Sequence, residues 1–283
     1  MKLKGTESQW QQINGGVPQG TLCGPQLFIH MVSDLHTDIP DVKFMDDTTL
    51  SELAPKKEGS QMQAAANQVE KWSEDNQLGI NCTKTKDMLI SFGTSPNISP
   101  LTINGSDIEQ VQHSKLLGVI VQCDLKWDLH VNYMNSKAST RLHYLRCLKR
   151  AGLSPTELKQ TYLALVRTVL EYACPVWATG LIKDNIRVLE SLQIRACRII
   201  YPKLSYEQAC ISLDLPILSD RRMDICKDFF IKMTYPGHRL HDLLPPAREN
   251  RYGIRNFKPR EPPKLTTERA KNSFVPYCLR HFQ

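Results

Sequence analysis

An α+β chain is predicted, with short strands and hairpins over residues 1–125 and helices from residue 126 onward. Three observations carry that expectation. In the first part, brief apolar runs flank turn residues: 42–50 brackets Asp46 and Asp47, and Asn104-Gly105 is a two-residue hairpin signal. From Trp127 onward, apolar residues recur at helical spacing. The charge changes sign at the same place. Residues 1–125 hold 9 Lys, no Arg and 15 Asp or Glu, whereas residues 126–283 hold 27 Lys or Arg against 14 acids. The overall +7 therefore conceals an acidic first part and a basic second part, which suggests a polyanion partner for the latter. Charge alone does not separate that from a solvated basic surface.

At 283 residues and 41% hydrophobic content, one or two domains with a real core are expected. No apolar run reaches membrane-spanning length and the N-terminus has no signal-peptide apolar region, so the chain reads as soluble and intracellular, in cytoplasm or nucleus. Nine cysteines are scattered singly, with no C-x-x-C pair, and are read mostly as reduced core residues.

Taken in order, residues 1–14 carry Leu3, Trp10 and Ile13 in loose alternation, as in a strand leading into the Gly15-Gly16 loop. Leu22, Leu27, Phe28 and Met31 then fit a buried helix. The Asp46-Asp47 hairpin follows. Met62, Ala65, Val69 and Trp72 mark an amphipathic helix over 60–76. Met88, Ile90 and Phe92 have the period of a strand, and 114–121 reads as a further one.

In the second part, Val131, Met134, Ala138, Leu142 and Leu145 trace the buried stripe of one helix. Ser154-Pro155-Thr156-Glu157 is a capping box with proline at the first helical position, opening a helix with stripe Leu158, Tyr162, Leu165, Val169 and Tyr172. A helix over 183–200 should bury Val188, Leu192, Ala196 and Ile199, leaving Lys183, Arg187, Arg195 and Arg198 on the opposite side, where they could hold nucleic-acid phosphates. A solvated helix face would look the same. Shorter helices are expected over 205–213 and 219–234. Residues 236–283, with seven prolines, read as an extended basic tail whose apolar end, Phe274, Val275 and Tyr277, docks.

Two adjacent carboxylates held rigidly at a hairpin suit Mg²⁺, which takes few protein carboxylates plus substrate phosphates. An Asp-Asp pair is equally an ordinary solvated turn. Its context is more specific. Val17-Pro18-Gln19-Gly20-Thr21, then Gly24-Pro25, a helix, and Phe44-Met45-Asp46-Asp47 together resemble reverse transcriptases of the non-LTR (LINE-type) retrotransposon branch. Two further blocks continue the resemblance, Leu78-Gly79-Ile80-Asn81 with Lys84-Thr85-Lys86, and Leu117-Gly118-Val119.

The resemblance implies an incomplete palm, an antiparallel sheet with packing helices over 1–125, a helical thumb-like region over 126–235, and a tail. It implies that Asp46 and Asp47 ligate Mg²⁺, with Mn²⁺ as the alternative, Asp46 being the more direct ligand. Pro18, Gln19, Gly20, Phe44 and Met45 would line the nucleotide and template site. Lys84, with Lys86 as the alternative, would serve the leaving pyrophosphate, and Leu117 and Gly118 would position the primer. The implied partners are an RNA template, an RNA–DNA duplex, deoxynucleotides and a missing N-terminal polymerase half.

Two departures matter. Met45 stands where the family usually has alanine. The palm's third carboxylate and the fingers, found upstream of the Val-Pro-Gln-Gly block in the family, have no counterpart in 1–14, where Glu7 is the one acid. The chain alone is therefore expected to bind metal poorly and to polymerise little, a non-catalytic RNA- or DNA-binding remnant being the alternative.

Overall fold

Short hairpins closed by left-handed turn residues shape the first part of the chain, and long amphipathic helices shape the second. The computed structural model describes residues 2–3, 6–7, 20–54, 59–93, 99–248 and 257–283. It divides into two units, Met1–Val111 and Gln112–Gln283.

In the first unit, β1 (Lys2–Leu3) and β2 (Thr6–Glu7) pair antiparallel. Pro18 and Gln19 lie outside the described residues. Helix α1 (Cys23–Met31) forms where apolar spacing and Gly24-Pro25 at its start predict it. It buries nothing among the described residues: Leu22 is 91% exposed, and Leu27 and Ile29 are also exposed. The expected buried face is thus present in sequence but unpartnered here. β3 (Asp41–Phe44) and β4 (Asp47–Leu50) form the predicted hairpin. Helix α2 (Met62–Asp75) buries Ala65, Ala66 and Ser73, while Trp72 donates its indole N–H to Asp34 Oδ1 at 3.0 Å.

The predicted strand through Met88, Ile90 and Phe92 does not form. Only β5 (Lys86–Asp87) is extended, in parallel register with β8 (Glu109–Gln110), and pairing stops after two residues, leaving Ile90 and Phe92 exposed. Between them, β6 (Thr102–Ile103) and β7 (Ser106–Asp107) are joined by Asn104 and Gly105, at φ 51° and 68°. That is the left-handed pair the Asn-Gly signal demands. Instead of one antiparallel sheet, the described strands make separate two-stranded pieces, because each is only two to four residues long. The core beneath is correspondingly small, with Ala66, Ile103 and Ile108 at its centre.

The second unit opens with β9 (His113–Leu116) and β10 (Val119–Gln122). The run 114–121, expected as one strand, reverses at Leu117 (φ 46°) and Gly118 (φ 87°). The hairpin packs with the helix that follows and lies in the second unit, which begins at Gln112.

Helix α3 (Asp128–Arg150) buries the whole predicted stripe. Helix α4 (Pro155–Thr161) starts with both halves of the capping box made: Ser154 Oγ accepts the Glu157 N–H, and the Glu157 carboxylate accepts the Ser154 N–H at 2.8 Å. A π-helical stretch, Tyr162–Arg167, continues into α5 (Thr168–Glu171). Its wider turn keeps the buried residues four apart, so Val166 and Leu170 point inward where Leu165, Val169 and Tyr172 were expected.

After Ala173 in the left-handed region come α6 (Cys174–Trp177), α7 (Lys183–Ile200), α8 (Tyr206–Leu213) and α9 (Leu218–Met233). Glu190 ties three of these together: it accepts from the Tyr206 hydroxyl and from the Leu218 and Ser219 N–H groups that open α9. The tail is not wholly extended. Helices α10 (Glu268–Asn272) and α11 (Phe274–His281) form, and Cys278 and Leu279 dock against Phe230 and Met233. The core spans α3 to α9 and includes the fully buried Trp177. Five of the nine cysteines are buried and all are free thiols. Among the described residues no helix is long and apolar enough to cross a membrane.

Candidate active site and nucleic-acid interface

The β3–β4 register dictates what the Asp-Asp hairpin presents. Phe44 opposes Asp47 and Val42 opposes Thr49, so these four share one face, while Lys43 opposes Thr48 on the other. Met45, at φ 54°, and Asp46 form the two-residue turn. A methionine in that conformation is uncommon, and it turns the chain tightly enough to put Asp46 at the tip with Asp47 directly after it. Both carboxylates are exposed, as are Phe44 (58%) and Met45. The neighbouring Lys43 is occupied elsewhere: its ammonium donates to the Leu35 carbonyl and pairs with Asp41 at 3.5 Å. The pair at the tip is therefore left un-neutralised by its own hairpin.

Two adjacent carboxylates offer hard oxygen ligands of the kind Mg²⁺ accepts. Among the described residues, however, no group of three or more His, Cys, Asp or Glu could hold a metal ion. The fit is that of a partial shell.

Gly20 is exposed, with φ 91°. Lys84 sits in a turn whose N–H is accepted by the Asn81 carbonyl and side chain, both at 3.1 Å, and its own side chain is exposed. Lys86 instead pairs with Glu109 at 2.5 Å and donates to the Thr83 carbonyl at 2.9 Å. Among the described residues, Lys84 is the candidate lysine whose ammonium has no partner.

Leu117 and Gly118 form the tip of the β9–β10 hairpin, and that tip is held from outside. The Tyr172 hydroxyl donates to the Leu117 carbonyl at 2.7 Å, and a Cβ on Gly118 would stand 3.1 Å from Tyr172 Cε1. The glycine thus serves both the turn and the close approach. At the root of the hairpin, the Ile120 N–H donates to His130 Nδ1 at 3.3 Å. His130 is buried among Trp127, Tyr133 and Trp177, and burial pulls its pKa down to about 4, so it is neutral.

The four cations of α7 do not share one free face. Lys183 and Arg198 are exposed, and Arg187 is exposed but paired with Asp184 at 3.0 Å. Arg195 lies half-buried and donates to Ser139 Oγ of α3 at 3.1 Å. The buried set of α7 is centred on Leu189, Gln193 and Ala196, slightly rotated from the predicted stripe, and this carries Arg195 toward α3. Sequence reasoning placed Tyr172 in a buried helix stripe, whereas it is exposed and braces the hairpin tip, and it gave no role to Lys115 or Tyr133. The i,i+4 pair Tyr133 and Lys137 was visible as one helix face, but Lys115 joins them only through the folded hairpin.

Residues 1–121 match the family model for reverse transcriptase (RNA-dependent DNA polymerase). The chain is 23% identical over 217 residues to a protein described as a probable RNA-directed DNA polymerase from transposon BS of Drosophila melanogaster, covering 71% of this chain and 24% of that one. It is 25% identical over 256 residues to the RNA-directed DNA polymerase from mobile element jockey of the same fly, covering 83% and 27%. With the jockey polymerase of Drosophila funebris it shares 22% over 284 residues, covering 94% and 30%. The chain thus spans 24 to 30% of the length of these curated relatives. No solved structure matches it significantly. Residues 1–121 are thus similar to reverse transcriptases, and the chain as a whole is similar to a fragment of the RNA-directed DNA polymerases of mobile elements.

Proposed function

We propose that the chain is the later half of a non-LTR retrotransposon polymerase, with a partial palm over 1–125, a thumb-like helical region over 126–235 and a basic tail. The observation that carries this reading is the exposed, un-neutralised carboxylate pair at the tip of a tight hairpin, inside the stretch that matches the family. In the intact polymerase, Asp46 and Asp47 would hold Mg²⁺ or Mn²⁺, with Asp46 as the more direct ligand. The metal would supply charge neutralisation at the α-phosphate and acidify the attacking 3′-hydroxyl.

This chain's own residues do the rest. Pro18, Gln19, Gly20, Phe44 and Met45 border the nucleotide and template. The free Lys84 ammonium meets the departing pyrophosphate and can give it a proton. The Leu117–Gly118 tip, braced by Tyr172, positions the primer end, and Lys183, Arg187 and Arg198 contribute backbone charge. The substrates are an RNA template, an RNA–DNA duplex and deoxynucleotides.

A second reading, a nucleic-acid-binding fragment without chemistry, is favoured by the two-carboxylate limit of the described site. Primer extension on poly(rA)–oligo(dT) with Mg²⁺, beside Asp46→Ala and Asp47→Ala, separates the two. Extension lost in both variants supports a working site in this chain. Salt-sensitive RNA binding without extension, unchanged in the variants, supports the second reading.

A further inference from the structure

The foot of the β9–β10 hairpin meets α3 at a cluster that neither the family match nor the motif spacing marks. Lys115 of β9 donates its ammonium to the Tyr133 hydroxyl at 3.1 Å, and Lys137, one turn along α3, donates to the same oxygen at 3.3 Å. Both ammoniums also lie over the Tyr133 ring, 4.7 and 5.4 Å from its centroid. Both lysines are exposed. Among the described residues neither has a carboxylate within ion-pair distance.

Two like charges gathered on one neutral oxygen repel each other, and a hydroxyl and a π-face neutralise neither. The natural third member of such a group is an anion lying between them. Consistent with that electrostatic field, the two ammoniums hold the Tyr133 phenol below its usual pKa. Tyr144 is exposed three turns along the same face of α3, adding an aromatic platform beyond the cations.

We propose that Lys115, Tyr133 and Lys137 form a phosphodiester-binding site for nucleic acid, through which the hairpin and α3 grip one strand together. Each ammonium contacts a backbone phosphate oxygen, and the Tyr133 hydroxyl donates a hydrogen bond to the same phosphate while keeping its proton. The site reads no bases, so it is indifferent to sequence and sensitive to salt. The ligand class rests on the polymerase-fragment reading, whereas the anion site rests on the cluster itself.

The test is fluorescence anisotropy of an end-labelled RNA–DNA duplex against the full chain over a range of KCl concentrations. Wild type is compared with Lys115→Gln/Lys137→Gln, with Tyr133→Phe, and with Lys227→Gln, an exposed lysine of α9 outside the cluster, as a cation control. Circular dichroism checks that each variant is folded. The double variant is expected to bind about tenfold more weakly at low salt and to flatten the log–log salt slope by about 1.5 to 2. Tyr133→Phe, which keeps the fold and both charges, should lose about twofold to fivefold in affinity with the slope unchanged.

A folded double variant with wild-type affinity and slope overturns the site while leaving duplex binding, and hence the polymerase-fragment reading, intact. Should the double variant fail to fold, an unchanged affinity in Tyr133→Phe overturns the proposal in its place. Wild type that binds no duplex at any salt overturns both. Displacement of the duplex by millimolar pyrophosphate in wild type, but weakly in the double variant, would reinforce a phosphate-specific site.

Discussion

The first unit carries the candidate catalytic residues on a small core, and the second carries a deep core beneath the candidate strand-binding cations. In the first, Ala66, Ile103 and Ile108 anchor a small cluster, while Leu22, Val42, Phe44 and Phe92 stand exposed. In the second, α3 and α7 pack along their length, and one continuous core runs from Val119 to Cys226. The difference teaches that an acidic hairpin tip needs only a tight turn and a short ladder for its shape. Gripping a polymer strand needs a rigid frame, because cations on separate elements must keep their spacing to meet successive phosphates.

The sharpest way to break the comparison is to cut into the deeper core. Trp177 is fully buried, its indole N–H donates to the Tyr172 carbonyl at 3.0 Å, and the buried Arg222 lies over its ring. Trp177→Ala should cost about 3–5 kcal/mol in chemical denaturation, enough to unfold a marginal domain.

The next effect is one of pH. His130 has a folded pKa of about 4 against about 6.5 unfolded, so below pH 6.5 the unfolded state binds the extra proton. Stability is therefore full above pH 6.5 and falls as the pH drops toward 4, by up to about 3 kcal/mol. A melting-temperature profile should show that slope, and His130→Gln should flatten it.

Smaller again is Gly118→Ala. Its φ of 87° and the 3.1 Å approach to Tyr172 should cost about 1–2 kcal/mol and loosen the hairpin tip. Smallest is Phe44→Ser in the first unit, where an exposed ring on a short hairpin should change stability by less than about 0.5 kcal/mol. A large loss there would mean that the face of the acidic hairpin is packed, and the contrast between the units would weaken.

Local signals carried most of the elements. Asn104-Gly105 and the Ser154 capping box specify their turns through the backbone, so the structure repeats them. The α3 stripe was legible because every stripe residue meets the core at regular α-helical phase. The helix after Ser154 was read out of phase because the π-helical turn leaves no mark in the apolar spacing. The run through Ile90 and Phe92 has strand composition, but a strand also needs a partner edge, and pairing there ends at Asp87. At the candidate site, the Asp46-Asp47 tip was legible from its flanks. The anchoring of Leu117 by Tyr172, 55 residues away, was not, since no local pattern encodes so distant a contact.

Hydrogen–deuterium exchange of the full chain, read by mass spectrometry, tests the contrast between the two units most directly. The account predicts slow exchange across α3, α7 and α9 and fast exchange through α1, the Asp46–Asp47 hairpin and residues 88–93. Equal protection of both units would contradict it, because the acidic tip would then rest on a core as deep as the one beneath the helices.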